Sequence, residues 1–342
     1  MSEGPERHFS YESMKQIVKF SEMDKRERMV RSIPALKKIE SLLRYDFSKV
    51  RYSSQSFDFE TNNFTRSWNI YPLRPEQEDW SEDNEIDPKT LTSCVINFHT
   101  DGYRFEHSIE KKYSVALTKL MKEYVRKGSR IEKLVIHDSV PEELQDENLK
   151  LKVSRLILGT PNKEMIATWL RLMDTDNHPL KTIKFIVCTN SMFMFKEPVV
   201  QSCKELILQF PFYEEFALDP LLLDFTNKQL DIIKVNFPMD MMEKLIRKWL
   251  NYRRPVGTSF SLGVQEYTEV ISFFDMAKDK FKAVPSKFPD IKDGTCHCVV
   301  IPIDEQMELV LFGEYRQKKC PPFIWNFRME VMKPGRTVPK KV

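Results

Sequence analysis

The chain is poor in glycine and lacks the glycine-rich motifs that bind phosphate groups. Glycine occupies only 9 of the 342 positions, and neither GxGxxG nor GxxxxGK occurs. Those loops depend on glycine because the backbone must approach the phosphates closely. The sequence therefore argues against a nucleotide-binding enzyme fold.

Two further features are missing: a charge excess and a long apolar run. The 53 basic and 50 acidic residues give a net charge of only +3. Dedicated nucleic-acid and membrane-surface proteins usually carry a clear basic excess. No run of about 18 apolar residues occurs, as a membrane-spanning helix would require. We expect neither nucleic acid nor a membrane as partner.

Cysteines are few, and no pair has the CxxC spacing of a zinc site. The opening residues are charged and do not resemble a signal peptide, so we expect reduced thiols and a place in the cytoplasm or nucleus. The one tempting metal feature is Cys296-His297-Cys298. A zinc site needs four convergent ligands, whereas a strand would point these three to opposite faces. Buried or edge thiols are the favoured interpretation, and we expect no cofactor.

Catalytic motifs are also missing. His137-Asp138 follows a predicted strand, where catalytic side chains often lie. No GxSxG nucleophile motif and no HExxH metal motif accompanies it, and a turn explains Asp138 adequately. We therefore predict that the chain is not an enzyme.

Residues 1–45 are predicted to form a segment of three short helices. Met14, Ile17 and Val18 share one face of the first helix by their spacing. Asp24 and Glu27 have the spacing of a capping box before the second helix. Pro34 is a favoured first-turn residue for the third helix.

Residues 46–110 alternate apolar and polar side chains, a pattern typical of strands. An insertion at residues 74–88 interrupts them with seven carboxylates and two prolines. Such a composition predicts a solvated loop. A docking role for its acidic residues around Trp80 is the less favoured alternative.

Residues 111–342 are predicted to form a strand-helix repeat domain. Short strands, most with one charged residue followed by three apolar ones, recur every 21 to 29 residues with helical segments between them. They lie at residues 133–136, 155–158, 184–187, 205–208, 231–237 and 258–262. This periodicity is typical of leucine-rich repeats, although the usual repeat asparagine is missing. The predicted fold class is α/β: short N-terminal helices followed by a degenerate leucine-rich-repeat-like solenoid with a mainly parallel sheet. Residues 277–342 add terminal strands.

The segment from Phe9 to Glu40 resembles the N-terminus of the nematode F-box C family. The resemblance rests on Ser10-Tyr11-Glu12-Ser13, Asp24-Lys25-Arg26 and Pro34-Ala35-Leu36-Lys37-Lys38-Ile39-Glu40. Two features depart from the family: Phe9-Ser10 replaces the usual Leu-Pro, and the later Cys-Arg-x-Trp element is absent.

The resemblance implies an adaptor of a cullin-RING ubiquitin ligase. Its N-terminus would bind the linker subunit, and its repeat domain would select an unknown protein substrate. The alternative is a non-catalytic repeat scaffold whose F-box-like segment no longer docks. The candidate docking residues are the large apolar ones: Phe9, Met14, Ile17, Val18, Phe20, Met29 and Leu36.

Overall fold

The structure, a computed structural model, divides into two compact units. It describes residues 11–62, 64–72, 93–100, 103–145, 148–211, 225–233, 237–288, 297–315 and 325–339. Unit 1 comprises Met1–Leu134, Asp138–Val153 and Thr168–Asp174, and unit 2 comprises Val135–His137, Ser154–Ala167 and Thr175–Val342. The acidic insertion at residues 74–88 lies outside the described residues.

Unit 1 contains the predicted N-terminal helices followed by a strand meander. Its helices are α1 (Tyr11–Phe20), α2 (Met23–Ser32), α3 (Lys37–Ser41) and α4 (Tyr113–Tyr124), with 3₁₀ turns at Pro34–Leu36 and Glu142–Leu144. Its strands are β1 (Asp46–Ser53), β2 (Ser56–Glu60), β3 (Thr65–Pro72), β4 (Cys94–Thr100), β5 (Tyr103–Ile109) and β6 (Arg130–Ile136). The strand order is β6-β1-β2-β3-β4-β5, and β1 to β5 pair antiparallel in sequence order. The predicted short N-terminal helices are confirmed, and strands β1 to β5 lie between residues 46 and 109.

An aromatic cluster fills the space between the meander and α4. The Phe59 ring lies 5.4 Å from Trp68 and 5.0 Å from Tyr124, measured between ring centroids. Trp68 and Tyr124 are themselves 5.2 Å apart. The alternation of residues along β2 and β3 puts these rings on one face, which α4 covers. The N-terminal half therefore has a core of its own.

Unit 2 contains the strand-helix region and the terminal strands. Its elements are β7 (Lys152–Leu158), α5 (Lys163–Leu172), β8 (Thr182–Ile186), α6 (Pro198–Ser202), β9 (Glu205–Gln209), β10 (Gln229–Ile233), α7 (Met239–Tyr252), β11 (Ser259–Val264), α8 (Tyr267–Phe281), β12 (Val284–Lys287), β13 (His297–Pro302), β14 (Glu308–Tyr315), β15 (Trp325–Met332) and β16 (Val338–Pro339), with a 3₁₀ helix at Thr189–Lys196. Elements β6, β7 and α5 each contribute residues to both units.

Strands β7 to β11 form a parallel block in sequence order, as the repeat spacing predicted. Equivalent apolar positions stand side by side across this block. One row consists of Leu158, Phe185, Leu208, Ile232 and Leu262, all buried. The alternate residues of β9 and β10 are only half-buried. One face of the block is therefore covered and the other partly open.

The prediction of a mainly parallel solenoid is wrong. β11 pairs antiparallel with β15, and β12 to β16 continue the unit 2 sheet antiparallel in the order β16-β12-β13-β14-β15-β11. The sheet is mixed because the residues after α8 form antiparallel strands. One of them, β15, pairs with the edge of β11, where a further parallel strand would have to pair to continue the repeat. Strand-helix spacing detects each crossover locally, but it does not reveal which strand joins the last edge.

The amphipathic helices of unit 2 bury the side chains that their spacing selects. On α7, Met242, Leu245, Ile246 and Trp249 are buried, as expected for core positions. Within the described residues, no helix is long and apolar enough to cross a membrane.

Candidate partner-docking site

The three N-terminal helices enclose a small apolar core of their own. Val18 on α1, Leu36 in the 3₁₀ turn and Ile39 on α3 are buried against each other. Met14, Met29, Val30 and Leu43 pack partly buried around them. The segment is thus folded internally as well as attached to the rest of unit 1.

The predicted docking residues divide between this core and the surface. Ile17 is 46% exposed, whereas Val18 and Leu36 are buried. Met14 and Met29 are half-buried against the core. Phe9 and the side chain of Phe20 lie outside the described part of the chain. Among the described candidates, Ile17 is the one that solvent or a partner reaches most easily.

Helix geometry explains why Ile17 and Val18 separate. Consecutive residues on an α-helix point about 100° apart, so only one of the two can face the centre of a narrow bundle. Val18 faces Leu36 and Ile39, and Ile17 is left on the flank. The spacing of Ile17 and Val18 puts them on one apolar stripe, but the structure buries only Val18.

Two further exposed apolar residues lie at the ends of these helices. Ile33, between α2 and the 3₁₀ turn, is 49% exposed, and Leu42, which follows α3, is 75% exposed. Neither Ile33 nor Leu42 is among the docking candidates that the sequence predicts. Because Leu43 packs against the core, Leu42 as its chain neighbour points outward.

Arg126, which follows α4, holds the third helix by several hydrogen bonds. Its Nη1 and Nη2 donate to Glu40 Oε1 and Oε2, each at 2.9 Å, and Nη1 also donates to the Leu43 carbonyl at 3.1 Å. The guanidinium lies 4.5 Å from the centre of the Tyr45 ring. The Tyr45 hydroxyl donates to Glu40 as well. Bidentate pairing of this kind fixes geometry as well as charge.

A second buried ion pair connects α2 to the meander. Arg66 Nη1 on β3 donates to Glu27 Oε1 at 2.6 Å and to the Tyr124 hydroxyl at 3.5 Å. Burial lowers the pKa of Arg66, but the hydrogen bond and charge of Glu27 outweigh it and raise that pKa overall. The predicted capping box of Asp24 and Glu27 is wrong. Helix α2 begins at Met23 with Glu22 at its N-cap, and the Glu27 side chain binds Arg66.

The tyrosine hydroxyls beside these pairs are kept neutral. Burial, with the nearby carboxylate of Glu27, raises the pKa of Tyr124 to about 12. Burial and the hydrogen bond to Glu40 raise the pKa of Tyr45 well above its usual range.

Arg26 adds hydrogen bonds from Nε to the Ser21 carbonyl and from Nη2 to the Lys19 carbonyl, at 2.8 and 2.7 Å. The end of α1 is thereby tied to α2.

A cleft of 720 Å³ opens between these helices and α4. It is lined by Glu27, Val30, Arg31, Pro34, Lys37, Glu40, Ser41, Tyr45, Lys119, Lys122, Glu123, Tyr124 and Arg126. The carboxylates of Glu40 and Glu27 in this wall are bound by Arg126 and Arg66. The cleft is therefore a mixed-charge groove rather than a site with converging catalytic groups.

Of the metal and catalytic candidates, Cys298 and Asp138 have structural contacts in the described part of the chain. Among the described residues, no group of three or more His, Cys, Asp or Glu side chains is placed to hold a metal ion. Cys298 is buried in an apolar cluster with Val300, Val310 and Phe312, and Cys296 lies outside the described residues. The Asp138 carboxylate accepts a hydrogen bond from the Ser54 backbone N–H at 2.7 Å. That bond gives Asp138 a structural role in the β1–β2 turn.

Comparison with known proteins identifies one similarity. Residues 112–266 match the family described as a domain of unknown function (DUF3557). The match covers less than half of the chain, beginning at the residue before α4 and ending just after β11. No curated protein and no solved structure matches the chain.

Proposed function

We propose that the chain is a substrate-recognition adaptor of a cullin-RING ubiquitin ligase, with its N-terminal helices as the linker-docking element. The resemblance of residues 9–40 to the F-box C family motivates this proposal. The observation that supports it best is the exposure of Ile17 on a segment whose own apolar core is already complete. Exposed apolar patches mark interaction surfaces, whereas single exposed apolar side chains are common; Ile33 and Leu42 add two more exposed apolar residues to the same segment.

The surrounding contacts suit a docking element because they hold it rigid before a partner arrives. Arg126 and Arg66 fix α3 and α2 to the rest of unit 1. A preformed surface loses less conformational entropy on binding than a flexible one. Ile33 and Leu42, at the ends of these helices, offer further apolar contacts. Ile17, Ile33 and Leu42 are the proposed docking contacts.

The substrate would bind the partly open face of the parallel block in unit 2. Residues on that face alternate apolar and charged side chains across the strands, in the register Ile157, Lys184, Ile207 and Asp231. All four are half-buried. A face with apolar contact area and spaced charges can combine affinity with selectivity. Loops beside these strands can vary without disturbing the buried rows.

The direct test measures binding of the purified full chain to the purified linker subunit by calorimetry. We expect Ile17→Asp to weaken binding at least about tenfold, because a carboxylate must then be desolvated in an apolar contact. Val115→Asp is the matched control: Val115 is a similarly exposed apolar residue on α4. It should leave linker binding and folding unchanged.

Failure of the wild-type chain to bind the linker would refute the adaptor proposal. Equal weakening by both variants would instead show that Ile17 is not a specific contact. Circular dichroism of each variant separates loss of binding from loss of folding, since both positions are on the surface.

A non-catalytic scaffold is the second candidate function. It is favoured by the burial of Val18 and Leu36, which leaves two of the predicted docking residues out of reach. In that case the helices serve as an N-terminal cap, and the linker does not bind while the parallel block still binds its protein partner.

A further inference from the structure

Strand β5 is the outermost strand of the unit 1 sheet. It pairs with β4 through seven consecutive residue pairs, from Cys94↔Ile109 to Thr100↔Tyr103. No described strand pairs with its other edge. Residues 103–108 are all exposed, so no described part of the chain covers this edge. It also lacks proline and a bulge, two of the devices that protect an edge strand.

One face of β5 extends the aromatic cluster of unit 1 outward. Trp68, Phe98 and Phe105 stand in register on β3, β4 and β5. The Phe98 ring lies 5.1 Å from Trp68 and 6.2 Å from Phe105, and the second pair is stacked at 20°. Phe105 is 57% exposed and Tyr103, on the same face, 69%. The row of aromatic rings therefore ends at the β5 edge of the sheet with its last side chains exposed.

The other face of β5 carries one basic and one acidic residue, which can pair with the same two residues of a second copy. Arg104 and Glu106 flank Phe105 and point to the opposite face. In an antiparallel pair of two β5 strands centred on Phe105, each Arg104 stands opposite the other copy's Glu106. Phe105 then meets Phe105, and Tyr103 meets His107. Opposite charges and aromatic rings directly across a strand pair both stabilise it.

Neighbouring registers lack this complementarity. A pair centred on Glu106 places two carboxylates opposite each other, and one centred on Arg104 does the same with two guanidinium groups. A symmetric strand pair is an isologous contact, which closes after two copies. The charges thus select one register and one stoichiometry.

We propose that β5 is a self-association edge through which two copies of this chain pair antiparallel about Phe105. The inference is independent of the adaptor function, since it uses no residue of the N-terminal helices. The contact is small compared with obligate interfaces, so the dimer should be reversible and concentration-dependent.

Sedimentation equilibrium of the full chain over a range of concentrations tests the proposal. The wild-type chain should show a monomer–dimer equilibrium. Arg104→Glu should raise its dissociation constant at least about tenfold, because the twofold axis creates two carboxylate pairs in each dimer. Glu106→Arg should weaken it similarly. The double variant Arg104→Glu/Glu106→Arg should restore association, because it exchanges the charges without changing their complementarity.

A monomer at every soluble concentration would overturn the proposal. A dimer that neither single variant weakens would overturn it as well, because association would then use another surface. Weakening by both single variants without recovery in the double variant would contradict the register. Thermal melts of all variants should agree with the wild type, since Arg104 and Glu106 are exposed.

Discussion

The N-terminal helices of unit 1 and the parallel block of unit 2 are held by different kinds of contact. In the block, equivalent apolar side chains line up across five strands, so each strand extends the same buried rows. The helices have only a small apolar core and depend on Arg126 and Arg66 for their attachment. Apolar rows suit a region that must be stable by itself. Directional ion pairs suit a small element that must be held in one position.

The largest effect should come from removing a large buried side chain of unit 2. Trp249 on α7 is buried, and Trp249→Ala should lower the free energy of unfolding by about 3–5 kcal/mol. Tyr252→Ala on the same helix should cost less than about 1 kcal/mol, because Tyr252 is exposed. Urea denaturation measures both. Similar losses in the two variants would contradict a buried core position for Trp249.

Breaking an ion pair in unit 1 should cost about 3 kcal/mol and should be reversible by a second substitution. Arg126→Met leaves the buried Glu40 carboxylate without its cation. Adding Glu40→Gln removes that charge while keeping an acceptor for the Tyr45 hydroxyl. The double variant should therefore recover much of the lost stability. A double variant no more stable than Arg126→Met would show that the cost lies elsewhere.

The polar attachment should also make unit 1 sensitive to alkaline pH. The pKa of Tyr124 rises from 10.0 to about 12 on folding, chiefly by burial. The neutral hydroxyl contributes its full stability below pH 10.0, and this is lost as the pH rises towards 12. Tyr124→Phe should therefore lose less stability than the wild type between about pH 9 and about pH 11. Urea denaturation at both pH values checks this; parallel losses would contradict the assignment.

Thiol labelling should report how tightly the parallel block is closed, without changing its stability. Cys203 is buried, and burial raises the pKa of its thiol to about 12. Cys188 is only half-buried. Brief alkylation of the native chain near pH 8 should therefore modify Cys188 and spare Cys203. Peptide mass mapping distinguishes the two, and equal labelling would show that the strands open readily.

Sequence patterns predicted the parallel block well because the apolar pattern of each strand and helix lies within that element. Each strand brings its own apolar residues, such as Leu206 and Leu208 on β9, and each crossover helix has its own periodic face. The spacing of these units then determined the strand order. The position of β15 beside β11 could not be predicted in this way, because a strand pattern does not name its neighbour.

The proposed docking site could be predicted only in part, for a related reason. Apolar spacing located Ile17 and Val18 on one helix, but the third helix decides which of them is buried. The pairing of Arg126 with Glu40 joins residues 86 positions apart, and no short-range pattern contains it. The exposed aromatic residues of β5 were assigned to a strand by their alternation. That the strand lies at an edge follows only from the assembled sheet.

The distance along the chain between Glu40 and Arg126 sets an order of events during synthesis. The three helices leave the ribosome before α4 does, and the arginine that fixes the third helix is made 86 residues after Glu40. At about 5–20 residues per second, this is a delay of roughly 4–17 s. Through that interval the nascent segment lacks its bidentate anchor and exposes apolar side chains. The N-terminal helices therefore reach their final form only after α4 has been translated, although they precede α4 in the chain.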